Sequence, residues 1–117
     1  MAVTFKIRPN DGLGVRRVRR VKGQTEQIKI DFAPWSDQAG VTLTSMTQEV
    51  VSGTATFGTV QQSDNTWIAF VSTPDEGGSL IKVIGTDAGG SYLVPVVLAL
   101  YARDPSFAAA AGSDYWY

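Results

Sequence analysis

Apolar and polar residues alternate along short stretches of this chain, and the alternation has the period of two expected of strands with one buried face. Ile28-Lys29-Ile30-Asp31-Phe32 is the cleanest instance, and it runs into Ala33-Pro34-Trp35-Ser36-Asp37. Pro34 lacks the amide needed to continue a ladder, so a corner is predicted there. Val41-Thr42-Leu43-Thr44 resumes the alternation, Ser52-Gly53 can turn the chain, and Thr54-Ala55-Thr56-Phe57 is a weaker β run. Thr66-Trp67-Ile68-Ala69-Phe70-Val71 is strongly β-prone. Thr73-Pro74-Asp75-Glu76-Gly77-Gly78 reads as a turn, because its paired glycines reach positive φ without a Cβ penalty. Leu80-Ile81-Lys82-Val83-Ile84, a turn at Asp87-Ala88-Gly89-Gly90 and an apolar run from Tyr92 to Tyr101, interrupted by Pro95, predict a hairpin. Trp67 is expected in the core; Trp35 either plugs an end of the sandwich or faces a partner, with the core favoured. Asn10-Asp11-Gly12-Leu13-Gly14 lacks the rest of a phosphate-binding fingerprint and is expected to be a hairpin turn.

Two blocks of this pattern resemble the small immunoglobulin-like proteins of tailed bacteriophages, the fibre-tail adaptors or virion accessory proteins. The first is Ile30-Asp31-Phe32 with Trp35, followed by Val41-Thr42-Leu43-Thr44-Ser45, where the family tends to have an Ile-Asp-Trp strand, an aromatic corner and a Thr-Ile-x-Ser-Ser strand. The second runs from Thr66 to Val71, through Gly77-Gly78, Leu80 to Ile84 and Asp87 to Gly90, to a closing strand ending at Arg103. Met46 and Thr47 stand where the family commonly has a Trp. The resemblance implies an all-β protein, a single immunoglobulin-like antiparallel β-sandwich over 26–103 with extensions at both ends. It also implies a non-enzymatic structural role in the virion, linking tail or neck to fibres or other tail components, with synthesis in the host cytoplasm and incorporation into a particle there. The expected partners are other virion subunits, met in multiple copies in a symmetric assembly. Two rival readings stand beside it: a decoration protein on capsid or tail tube, and a carbohydrate-binding module using Trp35, Tyr115 and Trp116.

A chain of 117 residues suits one such sandwich. With 44% hydrophobic and 18% charged residues, the composition is that of a folded protein. Cysteine is absent, so hydrophobic packing must hold the domain without disulfides or thiolate-bound metal. Neither a signal-peptide pattern nor an apolar run of about 20 residues is present, so a soluble protein with no membrane partner is expected.

The net charge of −1 conceals an asymmetry. Lys6, Arg8, Arg16, Arg17, Arg19, Arg20, Lys22 and Lys29 precede position 31, against Asp11 and Glu26. Segment 1–25 is therefore basic, with the first strands possible within it. Arg16, Arg17, Arg19 and Arg20 alternate with Val15, Val18 and Val21 at a period of three, which matches neither a clean strand nor a long helix. Three roles compete for these arginines: a solvated strand whose stems cover apolar surface, an interface to an acidic subunit through bidentate carboxylate pairs, and nucleic-acid binding. Nucleic acid is not expected, because the chain's pI is near 5.2. Beyond Arg103, segment 104–117 is a tail ending in Tyr115-Trp116-Tyr117. These aromatics either fold back on the domain or dock on a partner, where they offer large contact area with few torsions. Arg16, Arg17, Arg19, Arg20, Trp35, Tyr115, Trp116 and Tyr117 are thus the candidate partner-binding residues.

Histidine is also absent, which removes the commonest general base and imidazole ligand. Ser36, Ser63 and Ser91 have no triad partner and read as turn residues. Asp31 with Asp37, or Asp75 with Glu76 and Asp87, follow no recognised ligand spacing. No enzyme activity, cofactor or metal is expected.

Overall fold

The computed structural model describes residues 2–8 and 15–103. The chain order is β1 (Ala2–Lys6), β2 (Val15–Val21), β3 (Thr25–Asp31), α1 (Ala33–Ala39), β4 (Leu43–Ser52), β5 (Thr56–Ser63), β6 (Thr66–Ser72), β7 (Gly77–Asp87) and β8 (Leu93–Arg103). The strands form two four-stranded sheets, ordered β1-β3-β6-β5 and β2-β8-β7-β4, which pack as a sandwich. The alternation read in the sequence fills the space between them. Ile28 and Ile30 of β3 and Trp67, Ala69 and Val71 of β6 meet Ile81 and Val83 of β7 and Val96, Leu98 and Leu100 of β8, all buried. Each large apolar side chain buried this way contributes about 1.5–3 kcal/mol. Trp67 carries a polar atom into that core, and its Nε1 donates to Gln48 Oε1 at 3.1 Å.

Polar links close both long edges of the sandwich. On one side Met46 N of β4 donates to Gln62 Oε1 of β5 at 2.6 Å. On the other, Arg20 of β2 reaches across to β3 and β6: Nη1 pairs with Glu26 Oε2, and Nη2 donates to Val71 O at 3.4 Å. One end is clasped by Asn65, which sits at φ 62° between β5 and β6. Its N donates to Leu43 O (2.8 Å), its Oδ1 accepts from Leu43 N (2.9 Å), and its O accepts from Phe32 N (2.7 Å).

Several expectations are corrected. The first strands allowed for within segment 1–25 are present, one in each sheet, but they are part of the sandwich and pair in parallel: β1 on β3 from Ala2↔Gln27 to Lys6↔Asp31, and β2 on β8 from Val15↔Val97 to Val21↔Arg103. The sandwich is therefore not wholly antiparallel. The arginine-rich run is a regular strand. Its inward positions are Arg16, Val18 and Arg20, so two polar residues on the buried side erase the apolar alternation, and Glu26 makes the deepest one tolerable. The predicted corner after Phe32 is the seven-residue helix α1. Pro34 lies in its first turn, where no amide is needed, Asp31 Oδ1 accepts from Ala33 N (2.9 Å), and Gly40 ends it at φ 70°. The weak run at Thr54–Phe57 belongs to a strand that starts later and extends to Ser63. Pro95 does not interrupt β8: it pairs with Ile84 before β2 joins at Val97, so β8 is an edge on that side at that point. The Asn10–Gly14 turn lies outside the described residues.

Candidate protein-interaction surface

Residues alternate between the two faces of a strand, so the pairing register defines what each sheet presents outward. Across the first sheet the outward rows are Thr4-Lys29-Ile68-Gln61 and Lys6-Asp31-Thr66-Ser63. That face is mainly polar, although Phe70 opposite Gln27 is exposed. Gln61, Gln62, Ser63, Thr66 and Ile68 line a shallow depression of about 440 Å³ there.

The second sheet differs. Its outward rows are Val15-Val97-Lys82-Glu49, Arg17-Ala99-Leu80, Arg19-Tyr101-Gly78, Pro95-Ile84-Thr47 and Leu93-Thr86-Ser45. Apolar residues hold β8 and, on β7, the positions either side of Lys82 on this face, and Leu93 (67%), Val51 (54%) and Val15 (49%) are the most exposed large apolar side chains of the described residues. Tyr101 lies across the backbone of Gly78: a Cβ there would sit 3.5 Å from Tyr101 Cε1. Ala99, although outward, is 3% exposed. Lys82 and Glu49 stand directly opposite each other on β7 and β4.

The arginine cluster divides about β2. Arg17 and Arg19 project outward at the β2 margin of this apolar face, whereas Arg16 is half-buried on the inner side. Arg20 is interior, 1% exposed, and its side chain is committed to Glu26 and Val71 rather than offered to a partner. Burial lowers its pKa below the ordinary guanidinium value. Its Nε has no hydrogen-bond partner among the described residues.

Trp35 is half-buried on α1 and packs against the core at the end of the sandwich. Its ring meets Tyr92 edge-on, with centroids 6.0 Å apart and planes at 69°. Its N donates to Ile7 O at 3.0 Å, so β1, α1 and the β7–β8 loop converge on it. Tyr115, Trp116 and Tyr117 lie outside the described residues. Of the acids considered for chemistry, Asp31 Oδ1 accepts from Ala33 N at the start of α1 and Asp87 Oδ1 accepts from Tyr92 N, both at 2.9 Å. Among the described residues no three His, Cys, Asp or Glu side chains are placed to hold a metal ion.

The sequence reading missed Leu80, Ile84, Leu93, Val97 and Tyr101 as surface residues. For Leu93, Val97 and Tyr101 the signal was the unbroken apolar character of β8, which carries apolar residues on both faces where a strand facing water on one side alternates; Leu80 and Ile84 break the alternation of β7 in the same way.

No protein-family model matches the chain, and no curated protein does. Solved structures with a similar fold include the cysteine protease inhibitor EhICP2 of Entamoeba histolytica, at TM-score 0.51 and 8% identity over 87% of this chain and 97% of that one. PbICP-C, solved in complex with falcipain-2, gives TM-score 0.50 and 8% identity over 86% and 99%. An endo-fucoidan hydrolase of glycoside hydrolase family 107 gives TM-score 0.50 and 15% identity over 77% of this chain and 13% of its own length. At these identities the likeness is one of fold, and the sandwich serves in those structures both as a whole inhibitor and as a small part of a hydrolase.

Proposed function

We propose that this protein is a non-enzymatic structural component of a tailed-phage virion, an adaptor joining tail or neck to fibres or other tail components through protein contacts. The sequence resemblance supplies the virion setting. The single observation that supports docking is the outer face of β2-β8-β7-β4, apolar at its centre and flanked by Arg17 and Arg19, set against the polar outer face of the other sheet. A rigid apolar centre with an arginine margin has the composition of a protein interface: the centre excludes water and the guanidiniums pair with carboxylates in fixed geometry. The absence of His and Cys agrees with a binding rather than a catalytic role.

The test is a cryo-EM map of purified particles. Density for this subunit at a neck, tail or fibre junction, with Leu80, Val97 and Tyr101 against a neighbour, is the expected result. A lattice position on capsid or tube transfers the assignment to decoration, and absence from particles discards the virion role.

A further inference from the structure

The outer face of β2-β8-β7-β4 presents Val15, Leu93 and Tyr101 as exposed and Leu80, Ile84 and Val97 as half-buried apolar side chains. We infer that in the free protein this face binds the chain's own segment 104–117, with Tyr115, Trp116 and Tyr117 as anchors, and that docking on a partner displaces it. This rests on the reading of that face as a docking surface, not on the virion setting.

Three observations select this occupant. The first is attachment: the segment begins where β8 ends, at Arg103, and β8 is a central strand of the face concerned. Pro105, two residues on, has no amide to donate to a ladder. The second is reach. The fourteen residues 104–117 span up to about 46 Å when extended, and the eleven residues of β8 span about 36 Å, so a reversed segment can cross the whole face. The third is complementarity. The segment carries Phe107, four consecutive alanines and the three aromatics, with Asp104 and Asp114 and no Lys or Arg. The face offers apolar side chains beside the outward cations Arg17, Arg19 and Lys82, with Glu49 opposite Lys82 as its outward acid on the β4 side. Tethering adds to this, since a short linker holds a segment at millimolar effective concentration near its own domain, favouring the same molecule over a second copy in dilute solution.

The chain has no cysteine, so one can be introduced for labelling without competition. In full-length protein, Ser113→Cys carrying a nitroxide is expected to remove most of the amide NMR intensity at Arg17, Leu80, Val97 and Tyr101, while Lys29 and Ile68 on the opposite outer face keep theirs. Replacing Tyr115, Trp116 and Tyr117 by Ser in the same labelled chain is expected to restore the lost intensity with an unchanged far-UV circular dichroism spectrum. Mixing spin-labelled unenriched protein with unlabelled nitrogen-15 protein separates the two geometries. Broadening of the face in the mixture makes the contact intermolecular and overturns the inference, as does full intensity at the face in the singly labelled chain, or loss centred elsewhere. None of these outcomes depends on where the protein sits in a particle.

Discussion

The ion pair between Arg20 and Glu26 gives a sharp test of how the two sheets are held, because its two halves differ in what their loss leaves behind. Glu26→Ala keeps a guanidinium that is 0% exposed at its side chain, with Val71 O at 3.4 Å as a remaining partner and Nε already without one. Stranding one charge of a buried pair costs about 3–5 kcal/mol, and the 12% exposure of Glu26 places this case at the lower end, about 3 kcal/mol. Arg20→Met removes the charge that needs compensating and returns Glu26 to a partly wet site. Replacing a buried pair member with an apolar side chain of similar length is far milder when the residual charge reaches water, so a loss of about 1 kcal/mol or less is expected. In Arg20→Met/Glu26→Ala the loss should fall below that of Glu26→Ala alone. Urea unfolding at pH 7, extrapolated linearly, reads all three. A loss of about 3 kcal/mol should also lower Tm by roughly 10 °C or more for a domain of this size. Equal losses for Glu26→Ala and Arg20→Met, or a double variant weaker than both, would refute the claim that the stranded guanidinium is the dominant penalty.

Gly85→Ala is expected to destabilise by about 1–3 kcal/mol through overpacking, because a Cβ there would lie 2.8 Å from Leu43 Cδ1 and 3.5 Å from the Phe32 ring; a double-mutant cycle with Leu43→Val should recover part of the loss. Asn65→Ala removes the acceptor of Leu43 N and leaves a Cβ residue at φ 62°, for a loss of about 2 kcal/mol, whereas Asn65→Gly keeps the backbone relaxed and should lose less in the same unfolding assay. Val97→Lys, on the outward side of β8, should change stability by about 1 kcal/mol or less while abolishing incorporation into particles; normal incorporation would remove the outer face from the docking surface.

The parts of the fold legible in the sequence were those where one face is apolar and the other polar. Ile28 to Asp31 is such a strand; Trp67 was read as core because it lies in an apolar β run. The arginine strand was illegible because its inward side carries Arg16 and Arg20, and what permits this, the carboxylate of Glu26, belongs to the next strand and meets Arg20 only after folding. α1 was hidden by Pro34, whose missing amide ends a ladder and equally suits the first turn of a helix. β5 is mostly exposed Gln, Thr and Ser, held by pairing with β6 and by only two half-buried apolar side chains, Phe57 and Val60, that pack against the core.

The candidate site was only partly legible for a related reason. Attention to charge selected Arg16, Arg17, Arg19 and Arg20 as a cluster, but a strand sends neighbours to opposite faces, so these four residues serve two purposes. Arg20 ties the sheets together, and Arg17 and Arg19 flank an apolar face whose members are scattered in sequence from Val15 to Tyr101 and become neighbours only through the pairing of β2, β8, β7 and β4. The same construction bears on how the face would bind. Gln62, Arg20 and Asn65 fix the two long edges and one end of the sandwich, and α1 with Trp35 fills that end. A partner on this face would displace segment 104–117 from a sheet whose own backbone is already fixed, so the face itself would need little ordering and that part of the entropic cost of association is low. Affinity at such a face comes mainly from apolar area, with the arginines setting orientation and encounter rate. Raising salt should accordingly slow association while leaving the dissociation rate nearly unchanged, and a dissociation rate that rises steeply with salt would move the binding energy from the apolar centre to Arg17 and Arg19.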